Sequence, residues 1–272
     1  MDELRKLQLC EYEILKAVTT VFENHHLNYY LVYGTLLGAV RHKGFIPWDD
    51  DVDLCMERKD LLRFVKYAKK DLSSEYFVQT PKTERMGRWL FCKVRKNGTL
   101  CLQGGEKKTD AFHQGIWIDI FPIIDFSNYG GIKKTQTQII RLLQRLKYHH
   151  FAIEKKATIK SMIKAICELA LEAVEFFLWK ILILLGKIRK KRGKRECYLI
   201  GAGWDNLEKS ERFTFDRKFF SGNMQQYHFE ESEFTSMEDA EEFLTAFYGD
   251  WKTPKKYSHI GDYSAIVFGE EE

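Results

Sequence analysis

The sequence predicts an α/β (α+β) protein, with a mixed sheet flanked by helices and a long helical insertion. Three observations lead there. Short strand-like apolar runs alternate with amphipathic helical stretches through the first part of the chain. From residue 133 the strand signals stop and helical periodicity takes over. After a basic run at 187–195 the character is mixed again. The expected organisation is therefore a core at 1–132, a helical insertion at 133–195 that is a candidate membrane-facing part, and a segment at 196–272 that returns to the core.

The first element is a helix over residues 3–25, with Leu4, Leu7, Ile14, Leu15, Val18 and Phe22 at helical spacing. "NYYLVYG" reads as a strand ending in a glycine turn, and "TLLGAVRH" as a short helix with Thr35 placed to cap it. "DVDLCM" alternates charged and apolar residues as a strand does, and "RKDLLRFVKYAKKDL" returns to helix. "YFVQT", "WLFCKVRK" and "GIWIDIFPII" are three further strands. Two long helical stretches follow, one around "QIIRLLQRLKYHHFAIEKK" and one at "MIKAICELALEAVEFFLWKILILLGKI". Near the C-terminus, "SMEDAEEFLTAFYGDW" opens with Ser236 and Asp239 in a capping-box arrangement and continues as an amphipathic helix.

Composition narrows the function classes. With 44% hydrophobic and 30% charged residues, the 272-residue chain has the make-up of an ordered globular protein. The N-terminus is charged and helical in period, unlike a signal peptide. Six scattered cysteines without a CxxC pair point to a reduced, cytoplasmic setting. The net charge of +4 is smaller than the seven basic residues of "KIRKKRGKR", so the rest of the chain is net acidic. A single basic patch suits one anionic contact surface and argues against a general nucleic-acid binder. No Walker-type loop, GxSxG or HExxH motif occurs.

The most informative stretch is "GTLLGAVRHKGFIPWDDDVDL", residues 34–54. Packed carboxylates repel, so an acidic cluster asks for a cation or for water. In an extended strand Asp49, Asp51 and Asp53 would share a face and converge on a divalent metal, Mg²⁺ or Mn²⁺ being the ions that hard oxygen ligands favour. Alone, such a run is as well explained by a solvated acidic turn. Gly34-Thr35 at a strand-to-helix junction adds a place where backbone N–H groups can meet a phosphate. Strand, Gly-Thr, helix and a strand with Asp-x-Asp form the pattern of nucleotidyltransferase-like enzymes.

"YGTLLGAVRHKGFIPWDDDVD" closely resembles the signature of the LicD-type phosphotransferases, the lipopolysaccharide and teichoic-acid cholinephosphotransferases, and is more distantly similar to ribitol-phosphate transferases of the fukutin-related group. "WIDIFPIID" at 117–125 and "FYGDW" at 247–251 extend the resemblance. It implies a nucleotidyltransferase-like core that transfers a phospho-alcohol from a CDP-alcohol, typically CDP-choline, to a sugar hydroxyl of a cell-surface glycan or its lipid-linked precursor. The metal-binding aspartates implied are Asp51 and Asp53, with Asp49 beside them, and a third carboxylate at Asp119 that serves as metal ligand or base. Arg41 and His42 are candidates for the diphosphate, against the alternative of a solvated helix end. Trp48 either packs the loop or faces a quaternary ammonium. Tyr248 and Asp250 match the third motif without an assigned chemistry.

Two other functions stay open at this level: a nucleotidyltransferase that releases pyrophosphate, and a non-catalytic Ca²⁺-binding protein at a membrane surface. The helix at 162–188 carries Lys164, Glu168, Glu172 and Glu175 on one narrow stripe of an otherwise apolar surface. Beside the basic run, it suggests peripheral attachment to the cytoplasmic face of an anionic membrane, with an ordinary buried helix as the alternative.

Overall fold

The computed structural model describes residues 2–84, 90–103, 106–108, 112–147, 159–188, 193, 195–200, 213–255 and 263–269. The chain forms two compact units, the first made of 1–79, 92–122 and 218–272, the second of 80–91 and 123–217.

Unit 1 begins with α1 (Glu3–Asn24), whose Asp2 side chain caps the helix by accepting a bond from the Arg5 amide. Ile14, Leu15, Val18 and Phe22 of α1 are completely buried, as their spacing requires. Its strands are β1 (Tyr29–Leu31), β2 (Asp53–Glu57), β3 (Tyr76–Gln79), β4 (Cys92–Lys96), β5 (Leu100–Gln103) and the first half of β6 (Trp117–Phe126). The sheet runs β1-β2-β6-β4-β3. Tyr30 pairs with Cys55 between β1 and β2, and Lys93 with Asp119 between β4 and β6, both antiparallel. Helices α2 (Tyr33–His42) and α3 (Arg58–Asp71) flank β2 in the chain. The Phe22 ring of α1 meets Phe64 of α3 edge-on at 4.8 Å. Trp89, the first residue of the expected "WLFCKVRK" strand, lies outside the described residues.

Two local expectations give way here. No glycine turn ends β1: α2 starts at Tyr33, and Tyr33 itself, not Gly34, takes the left-handed conformation at φ 50°. Its ring packs against those of Phe121 and Phe247. Thr35 does not cap α2, because the helix begins two residues earlier, with Val32 at the cap position. In the C-terminal part, β9 (Met224–Phe229) and β10 (Ser232–Met237) form a hairpin, followed by α6 (Ala240–Tyr248) and by β11 (Tyr263–Val267), which pairs with β5. Ser236 is a strand residue, not a cap: its hydroxyl is buried and donates to the Leu31 carbonyl at 2.8 Å.

Unit 2 holds the rest of β6, α4 (Gly130–Lys147), α5 (Ile159–Gly186), β7 (Glu196–Leu199) and β8 (Thr214–Asp216). Residues 148–158, the end of the expected first long helix, lie outside the described residues, as do 189–192 and 194 of the basic run. Ile124, Phe126, Ile140, Leu143, Leu182, Tyr198 and Ile200 form its core. Helix α5 buries Leu182 and packs Leu178 and Trp179 on this core, but leaves much of its apolar surface open. Glu168, on the charged stripe, is buried, while Ile166, Leu169, Phe176, Phe177 and Leu184 are each more than half exposed. The alternative of an ordinary buried helix does not hold, since most of its apolar surface faces outward.

The two sides of α5 differ in what they contribute to stability. Leu182→Ala, at a fully buried site, is expected to cost about 2–5 kcal/mol in chemical denaturation. Leu184→Ala, on the open side, should change stability by no more than about 0.5 kcal/mol. Equal losses would mean that the exposed face is packed in solution.

Candidate active site

The candidate residues of the acidic motif gather in unit 1. Residues 49–52 form a loop before β2, so strand alternation does not govern them. Asp50, expected to point away, joins its neighbours: ligand atoms of Asp49, Asp50 and Asp51 all lie within 4.8 Å of one another. Positions 49, 50 and 52 of this loop, and Asp53 just after it, are tied by their backbone to four different elements. Gln8 of α1 donates to the Asp49 carbonyl at 2.9 Å. The Tyr263 hydroxyl of β11 donates to the Asp50 carbonyl at 3.2 Å. The Asp53 amide donates to the Thr35 hydroxyl of α2 at 2.8 Å. The Asp119 amide of β6 donates to the Val52 carbonyl at 2.9 Å, which brings the third motif aspartate beside the first two.

The glycine of the motif has a steric duty. A Cβ on Gly34 would overlap Asp49 Oδ2. The Asp49 carboxylate therefore sits against the first turn of α2, where unpaired amides favour negative charge. Thr35 is buried and acts on the site through the Asp53 backbone.

Burial and crowding dominate the electrostatics. Burial, then the Asp50 charge, pushes the Asp49 carboxyl up to about 7. Asp51 is raised well above the carboxylate range by burial and by Asp53, Asp49, Asp50 and Asp119. Asp53 is raised in the same way, by burial and then chiefly by Asp119, with Lys93 opposing. Buried carboxylates with too little positive charge around them are a donor set suited to a hard divalent cation, so the residues fit such an ion.

Two participants were not anticipated. Lys93 of β4 is buried and its ammonium reaches Asp119 Oδ1 at 2.7 Å, lying also over the Trp117 ring at 4.4 Å. Burial lowers its proton affinity. Glu11 of α1 is buried as well, and among the described residues its Oε2 has no hydrogen-bond partner. Burial and the charges of Asp51, Asp50 and Asp49 raise its carboxyl. The sequence did contain a signal for Glu11: it shares helical spacing with Leu7, Ile14, Leu15 and Val18, the buried stripe of α1.

A cavity of about 140 Å³ opens beside Asp49, lined among others by Gly34, Arg41, Trp48, Tyr248, Asp250 and Trp251. It brings three of the expected substrate residues together with the third motif; Thr35 and His42 do not line it. The logic of "FYGDW" is now visible. Tyr248 ends α6, and Gly249 follows at φ 72° and ψ −114°, a backbone state that glycine alone adopts readily. The chain thereby reverses and folds Asp250 and Trp251 back toward α2. Arg41 Nη1 donates to the Trp251 carbonyl at 2.5 Å, and Arg41 Nε to His42 Nε2 at 2.9 Å. The Trp251 indole donates to Thr245 Oγ1 at 3.0 Å, which fixes its ring. Burial, then the Arg41 charge, lowers the proton affinity of His42. Hydrogen bonds from Thr253 keep the exposed Asp250 below the usual carboxylate range.

Residues 26–160 match the family model described as LicD/FKTN/FKRP, nucleotidyltransferase domain. The lipopolysaccharide cholinephosphotransferase LicD of Haemophilus influenzae is 28% identical over 258 residues, covering 91% of either chain. An uncharacterised protein of Rickettsia typhi is 39% identical over 59 residues, 22% of this chain and 19% of its own. A similar one from Rickettsia prowazekii is 40% identical over 55 residues, 20% of this chain and 21% of its own.

Raised carboxyl pKa values mean that the folded, chelator-treated protein binds protons more tightly than the unfolded chain. Their contribution to stability is complete below the ordinary carboxylate value of about 3.9 and is lost as the pH rises through the Asp49 value of about 7. The melting temperature of chelator-treated protein is therefore expected to fall from about pH 5 to about pH 8, and Asp51→Asn to flatten that slope. A wild-type slope of zero, or one of opposite sign, would contradict the electrostatic account.

Proposed function

Because the chain belongs to the LicD-type family, we propose that it transfers phosphocholine from CDP-choline, or a related phospho-alcohol from its CDP conjugate, to a sugar hydroxyl of a cell-surface glycan or its lipid-linked precursor. The observation that carries this reading is the close group of Asp49, Asp50 and Asp51, with Asp53 and Asp119 fixed to the same end of unit 1 through the Thr35 hydroxyl and the Val52 carbonyl. In the proposed reaction the acceptor oxygen forms a bond to the phosphorus of phosphocholine and the bond from that phosphorus to CMP breaks. The hydroxyl proton passes to a carboxylate.

Asp49, Asp51, Asp53 and Asp119 are the proposed holders of Mg²⁺ or Mn²⁺. Such an ion supplies electrostatic stabilisation to the transferring phosphoryl group. Lys93 orients Asp119 by binding Oδ1 and limits which of its oxygens stays open, whether Asp119 acts as ligand or as base. Arg41 and His42, at the end of α2, supply positive charge or donors for the diphosphate.

Incubation with Mg²⁺ and a panel of CDP-alcohols is expected to release CMP, with CDP-choline the preferred donor. Asp51→Asn and Asp53→Asn should each abolish release. Full turnover by either would contradict the mechanism. Release of pyrophosphate from a nucleoside triphosphate would instead make the protein a nucleotidyltransferase. Loss of stability without any turnover, in both variants, would favour a structural Ca²⁺ loop. For Asp119→Asn, a fall in turnover with donor binding retained marks a base, and a joint fall in donor and metal affinity marks a ligand.

The reading includes peripheral attachment to the cytoplasmic face of an anionic membrane, where a lipid-linked acceptor would be found. Among the described residues no helix is long and apolar enough to cross a membrane. Support comes from the open apolar side of α5 and from the seven basic residues at 187–195 that follow it in the sequence. Apolar insertion and attraction to anionic lipid then act together, and salt should weaken the second. Sedimentation with phosphatidylglycerol vesicles is expected to exceed that with phosphatidylcholine vesicles and to drop at high salt. Replacing five of the seven basic residues with Gln should remove the difference. Equal sedimentation with both vesicle types would remove the anionic surface from the account.

A further inference from the structure

We propose that the cavity between α2 and the Tyr248–Lys255 segment receives the quaternary ammonium headgroup of the transferred group, and that "FYGDW" is a headgroup-selecting element. The inference rests on the phosphocholine-transfer reading and names what sets its donor specificity.

Size comes first. A cavity of about 140 Å³ is too small for a nucleotide, since pockets that enclose drug-sized ligands run to about 300–1,000 Å³. It is close to the roughly 150 Å³ that accommodates a benzene-sized group. One compact headgroup fills it. Chemistry comes second. Three of its lining residues, Trp48, Tyr248 and Trp251, are aromatic, and Asp250 among them is acidic. Aromatic faces attract cations that carry no hydrogen-bond donors, which a lone carboxylate or a set of hydrogen-bonding groups would not select. The Lys252 ammonium, paired with Glu241 at 3.3 Å, lies 5.3 Å from the Trp251 ring centroid.

The cavity also carries positive charge, from Arg41 and Lys255. Arg41 is held by neutral acceptors, the Trp251 carbonyl and the His42 ring. Its charge is thus available to an anion. A lining with both signs matches a zwitterion such as phosphocholine better than it matches an uncharged polyol phosphate. Position completes the case. Asp49 belongs both to this lining and to the aspartate cluster, so a headgroup in the cavity keeps its phosphorus near the proposed metal ligands.

Titration calorimetry of the full chain with Mg²⁺, using phosphocholine and CMP separately, tests this without requiring turnover. Asp250 is exposed, so Asp250→Asn should leave folding intact. Asp250→Asn and Trp48→Leu are expected to weaken phosphocholine binding about 3- to 30-fold while shifting CMP affinity less than about twofold, and Trp48→Phe to keep most of the phosphocholine affinity. In donor assays both damaging variants should lose the preference for CDP-choline over CDP-glycerol. No phosphocholine binding by wild type, unchanged binding in both variants, or an equal loss of CMP would overturn the assignment. The two readings fail separately. Phosphocholine binding of the expected pattern without CMP release would remove the proposed reaction alone. CMP release with an unchanged choline preference in the variants would remove the headgroup pocket alone.

Discussion

The carboxyls of Asp49, Asp51 and Asp53 are pushed upward by burial and by one another, and Asp50, Asp119 and Glu11 crowd the same end of unit 1. Two like charges about 4 Å apart near a protein surface repel by about 4 kcal/mol. A domain is stable by only about 5–15 kcal/mol in total, so several such pairs could not all stay ionised without compensation. Lys93 answers Asp119 directly. For the others the choices are protons or a multivalent cation, and that choice ties the stability of the fold to the proposed chemistry.

Much of unit 1 serves to impose this crowding. The loop lacks strand structure and could relax outward if left alone. Gln8, Thr35, Tyr263 and the Val52–Asp119 backbone bond hold it from α1, α2, β11 and β6. Gly34 leaves the space that the Asp49 side chain occupies. The same helix, α2, carries Arg41 at its far end, where it clasps the segment after α6 and shapes the small cavity. One ten-residue helix thus links the aspartates to the aromatic lining.

How much of this was legible in the sequence depended on whether the cause was local. Helices α1 and α3 and strand β6 follow from periodicity, and the expected mixed α/β architecture is the observed one. The acidic motif stood out because its oddity is local too. The details that depend on partners far along the chain did not. Tyr33, at φ 50°, places its ring against Phe121 and Phe247, partners far along the chain that no neighbouring residue announces. Asp50 joins the cluster because the loop never enters the strand. Lys93 reads as an ordinary charged strand residue until β4 is paired in register with β6. The role of "FYGDW" required seeing where Gly249 sends the chain. The open apolar side of α5 was half visible: the narrow charged stripe could be drawn, but only burial tells that Glu168 faces inward.

The central claim is that the aspartate cluster is a cation site built from Asp49, Asp51, Asp53 and Asp119. Anomalous diffraction from crystals soaked with Mn²⁺ tests it most directly, because the ion is located independently of any activity. The account predicts an anomalous peak within bonding distance of carboxylate oxygens of Asp51 and Asp53, at about 2.0–2.3 Å as for hard divalent ions. Peaks confined to surface carboxylates, with none among these aspartates, would contradict it.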